Sequence, residues 1–296
     1  MLRLFFLFIL VVDLWAGWMF VNSDKTLSPY NQTQSYDIPP EKFHEEDLIE
    51  EIPSQKDESK PKQIVKKRSH TNKKIYLTFD DGPINGTQNV ISILKEFGVD
   101  ATMFMIGKHV KRDRTTKRLF LEAIKTPNIL VANHTYSHAN GSYRHFYSNK
   151  RGVLKDLNKM DHILSFYDPN KRKKFCRLAG RNVFRCKDLN RNDPAIKQKN
   201  EYKAYNLLKK SGFLIYGWDL QWSYNPKNAK LYKTPKEIVK RVEKLYKKGW
   251  TRKKNKLILL MHDFTFKSSL HGKEKLNELI TLLEKRGWEF EKIDSY

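Results

Sequence analysis

From residue 73 onward, short runs of β-branched and aromatic residues alternate with longer stretches whose apolar residues recur at helical spacing. This alternation predicts repeated strand-then-helix units, which form a parallel sheet and, in this number, a closed or nearly closed (β/α) barrel of the α/β class. The strand-like runs cover residues 75–79, 100–106, 129–132, 175–178, 213–218 and 256–261, and the helical stretches cover 88–97, 115–125, 150–166, 202–210, 235–246 and 273–285.

The first part of the chain follows a different pattern. Residues 1–22 are apolar apart from a few positions such as Arg3 and Asp13, which predicts an export signal that is either cleaved or kept as a membrane anchor. Residues 23–70 show no sustained periodicity and are rich in polar and charged side chains, so we interpret them as a flexible linker. The folded domain is then expected to occupy residues 71–296.

Charge is unevenly distributed along the chain. The 57 Lys and Arg and 33 Asp and Glu give a net charge of +24, yet residues 1–60 contain 5 basic and 11 acidic side chains, which leaves 52 basic and 22 acidic ones, a net +30, in the remainder. Such a field favours phospholipid head groups, an anionic cell-wall polymer or nucleic acid, although a solvated lysine-rich surface explains it equally well. Because no nucleic-acid-binding motif is present, we expect no nucleic-acid partner.

Chemically reactive side chains lie just after the predicted strands. The carboxyl ends of parallel strands meet at one rim of a barrel, so residues that are distant in sequence come together there. The residues in these positions are Asp80, Asp81, His134, His138, Asp219 and His262.

Asp81, His134 and His138 offer one oxygen and two nitrogen ligands, which suits a divalent transition metal with positions left open for water. The four-residue spacing of the histidines allows them to share one helix face, as zinc-binding histidines do. Open positions indicate catalysis rather than a structural site. The alternative for the first of these segments is a surface turn, because an isolated Asp-Asp-Gly-Pro stretch is typical of one. Another histidine, His109, has no ligand-like neighbours in the sequence.

Three of these segments resemble the motifs of the polysaccharide deacetylase family, also called carbohydrate esterase family four. They are TFDDGP at 78–83, HTYSH at 134–138 and LMHD at 260–263, in matching order and spacing over about residues 73–294. The resemblance implies a distorted, complete or incomplete, (β/α) barrel. It also implies removal of N-acetyl groups from amino sugars with the help of a metal, usually zinc.

The same resemblance assigns a role to each motif residue. Asp80 would be the general base and His262 the general acid. Zn²⁺, or another divalent transition metal, would be held by Asp81, His134 and His138. These roles agree with the chemistry of the residue types, since a carboxylate can accept a proton from water and a histidine titrates near neutrality.

A third motif, around Arg177, matches less well. The resemblance makes Arg177 the residue that orients Asp80, but Ala179 stands where the family has proline. Cys176 and Cys186 bracket this loop, and in an exported protein a disulfide between them would contribute about 2–3 kcal/mol and offset the missing proline. Two buried thiols are the alternative.

A fourth motif is shortened, and here Asp219 would orient His262. Gln221 occupies a position where the family has an acid. Aromatic side chains near the rim, among them Tyr143 and Tyr224, are candidates for stacking on sugar rings. The residues that the resemblance places against the substrate are Gly180, Trp222 and Leu260.

The leading hypothesis from the sequence is an exported bacterial envelope protein, anchored in the membrane and facing the periplasm or cell exterior. It would deacetylate an N-acetylated glycan such as peptidoglycan, an exopolysaccharide or lipopolysaccharide. The departures at Ala179 and Gln221 keep open a catalytically weak, metal-containing glycan-binding protein, and an amidase acting on a non-sugar amide would use the same chemistry. The sequence does not specify an oligomeric state.

Overall fold

The computed structural model describes residues 72–169, 173–196 and 198–296. The export signal or anchor predicted at residues 1–22 and the linker predicted at 23–70 lie outside the described residues. Among the helices that are described, none is both long enough and apolar enough to cross a membrane.

Strands and helices alternate along the chain as its hydrophobic pattern predicts. The strands are β1 (Lys74–Gly82), β2 (Ala101–Met105), β3 (Ile129–Asn133), β4 (Lys174–Cys176), β5 (Phe184–Cys186), β6 (Leu189–Arg191), β7 (Phe213–Ile215), β8 (Leu220–Gln221), β9 (Lys256–His262) and β10 (Glu289–Phe290). The helices are α1 (Thr87–Phe97), α2 (Gly107–Val110), α3 (Arg114–Lys125), α4 (Tyr143–Ser148), α5 (Lys150–Tyr167), α6 (Lys199–Lys210), α7 (Pro235–Lys247) and α8 (Gly272–Lys285), with 3-10 turns at His138–Gly141, Asp263–Phe266, Ser268–Leu270 and Ile293–Ser295.

One continuous sheet joins these strands. Its order in the described residues is β6-β5-β7-β4-β3-β2-β1-β9-β8, with β10 beside the start of β1. Every pairing from β7 to β8 along this path is parallel, as repeated strand-then-helix units require. The two outer strands, β6 and β8, do not pair with each other within the part of the chain that is described. The sheet is therefore a curled, open form of a barrel.

The strand register brings the reactive residues to one rim. Asp80 at the end of β1 is level with Phe104 on β2 and with His262 on β9. Asn133 at the end of β3 is level with Cys176 on β4. The residues that follow each of these positions therefore lie side by side, although they are far apart in the sequence.

β1 is buried on both faces, and the two faces serve different purposes. Ile75, Leu77 and Phe79 point into the main apolar core, which helices α1, α7 and α8 complete. Tyr76 points to the opposite, inner side of the curled sheet, where it packs with residues of β2, β3 and β9. Because side chains alternate along a strand, Asp80 lies on this inner side as well.

The segment between β4 and α6, predicted as a polar loop, contains the antiparallel hairpin β5–β6. β5 joins the sheet alongside β7, so β7 separates β5 from β4. Cys176 on β4 and Cys186 on β5 are therefore two strand spacings apart, about 9–10 Å, whereas a disulfide needs Cα atoms within about 7 Å. The predicted disulfide is wrong: the two thiols are buried in different apolar clusters.

Candidate metal centre and active site

Three side chains at the rim form a group that can hold a metal ion. One ligand atom each from Asp81, His134 and His138 lies within 4.8 Å of the others. The Nε2 atoms of His134 and His138 are 3.4 and 3.2 Å from Oδ1 of Asp81. That buried oxygen has no hydrogen-bond partner among the described residues. An unsatisfied carboxylate oxygen facing two imidazole nitrogens fits a divalent transition metal.

The electrostatics of the group favour an ionised carboxylate. Burial alone raises the pKa of Asp81, but His138 and His134 beside it outweigh this effect, and the pKa lies well below its ordinary value. A carboxyl must be ionised to bind a metal. Asp81 is therefore in the form that the candidate site requires.

Each histidine is oriented by backbone contacts. His134 Nδ1 is 3.0 Å from the carbonyl oxygen of Arg177, so its Nε2 faces the group. His138 has a left-handed φ of 51° at the start of a 3-10 turn, and its N–H donates to Oγ1 of Thr135. The spacing of the two histidines predicts a shared helix face, and this prediction is wrong. A turn after β3 brings the two side chains together instead. Asp156 on α5 holds this turn by accepting from the N–H groups of Tyr136 and Ser137.

Asp80 lies beside the three ligands and is held by Arg177, as the sequence predicts. Nη1 of Arg177 donates to Oδ1 of Asp80 at 2.9 Å and to the hydroxyl of Thr78 at 2.8 Å. The other nitrogens of this buried guanidinium donate to the carbonyls of Tyr216 and Gly217. The second oxygen of Asp80, Oδ2, lies 3.6 Å from Nε2 of His134. Ala179 in place of proline therefore does not prevent the pairing of Arg177 with Asp80.

His262 lies across from Asp80 on β9, on the same inner side of the sheet. Its ring packs against Tyr224 and Phe264, with centroids 5.0 and 5.6 Å away. Burial lowers the pKa of His262, although Asp81 and Asp80 act in the opposite direction. Nδ1 of His262 has no hydrogen-bond partner among the described residues.

Asp219 does not contact His262, contrary to the prediction. Its carboxylate accepts from the N–H groups of Arg252 and Ile258, at 2.6 and 2.8 Å. Ile258 is four residues before His262, which places the two side chains about 13 Å apart along β9. Burial raises the pKa of Asp219 to about 6. Asp219 stabilises the start of β9 and cannot orient His262 from there.

The prediction that Trp222 contacts the substrate is also wrong. Its side chain is fully buried and cannot touch a glycan. Its Nε1–H donates to the carbonyl of Lys233, and its ring packs on Phe266 in the main core. The aromatic rings that flank the rim are half-buried: Tyr224 beside His262, and Tyr143, whose ring meets His138 edge-on with centroids 5.8 Å apart.

The other two predicted substrate contacts lie at the rim. Gly180 is exposed, and a Cβ built on it would lie 3.1 Å from the ring of Tyr143. Leu260 precedes His262 by two residues on the same side of β9 and is 2% exposed, so it forms the floor of the site. Gly180 is therefore open to contact with a bound sugar, whereas Leu260 is nearly as buried as Trp222 and supports the site from below.

His109 was not expected near the site, yet its Nδ1 lies 2.8 Å from the backbone carbonyl of Asp81. Burial lowers the pKa of His109 to about 4, so the ring is neutral at neutral pH and its Nδ1–H can donate to this carbonyl. The contact supports Asp81 at a left-handed φ of 75°, which is an uncommon conformation for a residue other than glycine. No sequence signal marks a histidine whose partner is a backbone oxygen.

We expect His109→Leu to weaken zinc binding by about 10–100-fold, the usual effect of losing a group that supports a ligand. His109→Asn is the matched control, because its amide nitrogen branches from the same carbon as Nδ1 and can donate to the same carbonyl. Competition with a chelating dye measures both affinities, and thermal melts check folding. Equal affinities for the leucine variant and the unmodified protein would contradict a supporting role for His109.

Comparison with known proteins shows which proteins this chain is similar to. Residues 67–180 match the family model described as polysaccharide deacetylase. A chitin disaccharide deacetylase from Vibrio alginolyticus is 24% identical over 316 residues, which covers 75% of this chain and 71% of that protein. A chitooligosaccharide deacetylase from Rhizobium leguminosarum bv. trifolii is 43% identical over 65 residues, which covers 22% of this chain and only 28% of that protein.

A solved structure shows the same fold. The catalytic domain of peptidoglycan N-acetylglucosamine deacetylase from Eubacterium rectale matches with a TM-score of 0.55 at 22% identity, over 76% of this chain and 91% of that one. The predicted distorted (β/α) barrel is thereby confirmed.

Proposed function

Because this chain belongs to the polysaccharide deacetylase family, we propose that it is a metal-dependent hydrolase that removes N-acetyl groups from the amino sugars of a cell-envelope glycan. The observation that carries the proposal is the group formed by Asp81, His134 and His138 beside the Asp80–Arg177 pair. Relatives named as deacetylases of chitin disaccharide and chitooligosaccharide support N-acetylated amino sugars as the substrate class.

The ligands of the ion would be Asp81, His134 and His138, with zinc or another divalent transition metal as the ion. Such an ion supplies Lewis acidity, which makes water more acidic and polarises an amide carbonyl. The neighbouring residues handle the protons. Arg177 fixes Oδ1 of Asp80, so Oδ2 is the oxygen that accepts a proton from the attacking water.

The departing amine needs a proton donor, and His262 is the residue placed for this step. It is level with Asp80 on the neighbouring strand β9 and faces the same inner side, so acid and base lie side by side at the position proposed for the scissile amide. Tyr143 and Tyr224 border the same position, and their rings can pack on the sugar. Hydrolysis then yields acetate and a free amine on the glycan.

We also propose that the protein is exported in a bacterium and anchored in the membrane by residues 1–22. Residues 23–70 would be the flexible linker between this anchor and the folded domain. The apolar N-terminal segment supports this proposal. Peptidoglycan, an exopolysaccharide and lipopolysaccharide remain the candidate substrates.

One observation favours a second candidate, a catalytically weak glycan-binding protein. Nδ1 of His262 has no partner among the described residues, and Asp219 is too far away to supply one. An acid that is not oriented transfers its proton poorly. Tight binding of an N-acetylated oligosaccharide without acetate release would favour this candidate, and faster release from small acetamides would favour an amidase.

The proposed reaction predicts that acetate release depends on bound metal. The full-length chain, incubated with peptidoglycan, lipopolysaccharide and β-linked N-acetylglucosamine oligomers, should release acetate from at least one of them. Chelation should reduce the rate to background and added zinc should restore it, with one metal per chain by elemental analysis. Undiminished release after complete removal of metal would contradict the assignment of the three ligands.

A further inference from the structure

A basic groove lies beside the candidate active site, between α4 and α6. It has a volume of about 680 Å³ and adjoins a second hollow of about 370 Å³ at the start of α5, with Ser148 and Asn200 lining both. Its near end is Ser142, the residue before Tyr143, whose ring contacts His138.

The charged side chains along this groove have one sign. They are exposed in the described structure, and none forms an ion pair there. The cations are Arg144 on α4, Lys150 and Arg151 on α5, and Lys199 and Lys203 on α6.

The acids of the three helices do not neutralise these cations. Glu201 is the acidic residue in α6, α4 contains none, and the two acids of α5 are engaged elsewhere, Asp156 with backbone N–H groups and Asp161 with Lys174. Glu201 is 1% exposed and binds Arg181 on the inner side of the helix, at 2.8 and 3.0 Å. Two of the five cations line the larger hollow and three line the adjoining one, so they repel one another, and a polyanion that lies along both hollows reduces this repulsion.

We propose that this groove binds an anionic stretch of the glycan substrate, whose carboxylate or phosphodiester groups lie between α4 and α6 while an N-acetylated sugar occupies the active site. This inference rests on the proposed deacetylase function and specifies its substrate as an anionic glycan. The concave shape and the continuity with Tyr143 favour an extended polymer over a flat membrane surface. Exposed cations discriminate by charge rather than by hydrogen-bond geometry, so the groove selects for charge density along the chain.

The test compares two triple variants in the full-length protein. Arg144→Gln, Lys199→Gln and Lys203→Gln remove three charges from the groove. Lys240→Gln, Lys244→Gln and Lys247→Gln remove three charges from α7, which lines a different hollow near the amino end of β1. Both variants have the same net charge, so they separate a local effect from a global one.

Each protein is assayed on a neutral β-linked N-acetylglucosamine tetramer, on a peptide-free peptidoglycan strand that carries carboxylates, and on a phosphodiester-linked N-acetylglucosamine polymer. The groove variant should raise the ratio of the KM for an anionic glycan to the KM for the neutral tetramer about tenfold, as expected for three exposed charge contacts. The α7 variant should leave this ratio within twofold. The anionic glycan whose KM ratio rises in the groove variant shows whether the groove binds a carboxylate or a phosphodiester.

The inference can also be tested on protein from which a chelator has removed metal. The dissociation constants of the same three glycans are then measured at equilibrium, without catalysis. If no glycan is deacetylated but the groove variant still loses affinity for an anionic one, the proposed function fails and the groove assignment stands. Equal ratios and affinities for the two variants would overturn the groove assignment. The groove assignment would also be overturned if the groove variant lost binding only to phosphatidylglycerol vesicles, because the groove would then bind a membrane surface.

Discussion

Asp80→Asn is expected to reduce kcat for acetate release by about 10²–10⁴-fold, the range for loss of a general acid or base. Asparagine is nearly the same size as aspartate, and its amide oxygen can still accept from Arg177, but it cannot take a proton from water. The three predicted metal ligands are untouched, so the variant should still bind one zinc per chain. The measurement is kcat at saturating substrate, with zinc content determined on the same sample.

The variant also leaves the buried Arg177 without its counter-charge, which costs stability by itself. Thr78→Val is therefore a useful comparison, since it removes another hydrogen bond to Arg177 and keeps the carboxylate. We expect Thr78→Val to lower the melting temperature while retaining a kcat within tenfold of the unmodified protein. A properly folded, zinc-loaded Asp80→Asn variant with unchanged kcat would exclude Asp80 as the base.

Glu201→Ala is expected to lower the free energy of unfolding by about 3–5 kcal/mol, the usual cost of removing one partner of a buried ion pair. Glu201 accepts two hydrogen bonds from Arg181 and a third from the hydroxyl of Tyr205. Truncation leaves the Arg181 guanidinium buried without a counter-charge. Urea unfolding of the two proteins measures the difference.

Two further variants separate the charge from the packing. Tyr205→Phe removes one hydrogen bond and should cost only about 1 kcal/mol. The double variant Arg181→Met with Glu201→Leu should recover much of the loss, because neither partner is then left charged and buried. If the double variant were no more stable than Glu201→Ala, the loss would come from packing rather than from the unpaired charge.

The ion pair also explains how the loop around Gly180 is fixed without the family's proline and without a disulfide. Arg181 anchors one side of this loop to α6, and the hydroxyl of Tyr147 donates to the carbonyl of Ala179. The sequence predicts a covalent link because two cysteines bracket the loop. Hydrophobic periodicity does not encode which strands become neighbours, so it could not show that β7 separates them.

The parts of the site that were predictable are those set by strand ends. Asp80, Asp81 and His134 directly follow clear apolar runs, and parallel register alone brings them together. Arg177 was placed through a motif, and its contact with Asp80 follows the same register. His138 lies in the predicted group with Asp81 and His134, but a turn rather than a helix positions it.

The wrong prediction for Asp219 follows from a strand boundary that the apolar run does not define. The apolar run predicted at 213–218 forms a strand only to Ile215, and Asp219 directly precedes β8. Asp219 therefore lies at the amino end of a strand, far from the rim. Trp222 follows β8, but its indole turns toward the core, and sequence alone gives no sign of this direction.

The position of the ligands along the chain has a thermodynamic consequence. Asp81 lies near the end of β1 and the two histidines follow β3, so an unfolded chain does not hold all three around one ion, and metal binding at this site would be linked to folding. An ion at 100 times its dissociation constant would add about 2.7 kcal/mol to the free energy of unfolding. The melting temperature then rises with free metal concentration, so a metal-starved compartment would shorten the lifetime of the folded protein as well as slow its turnover.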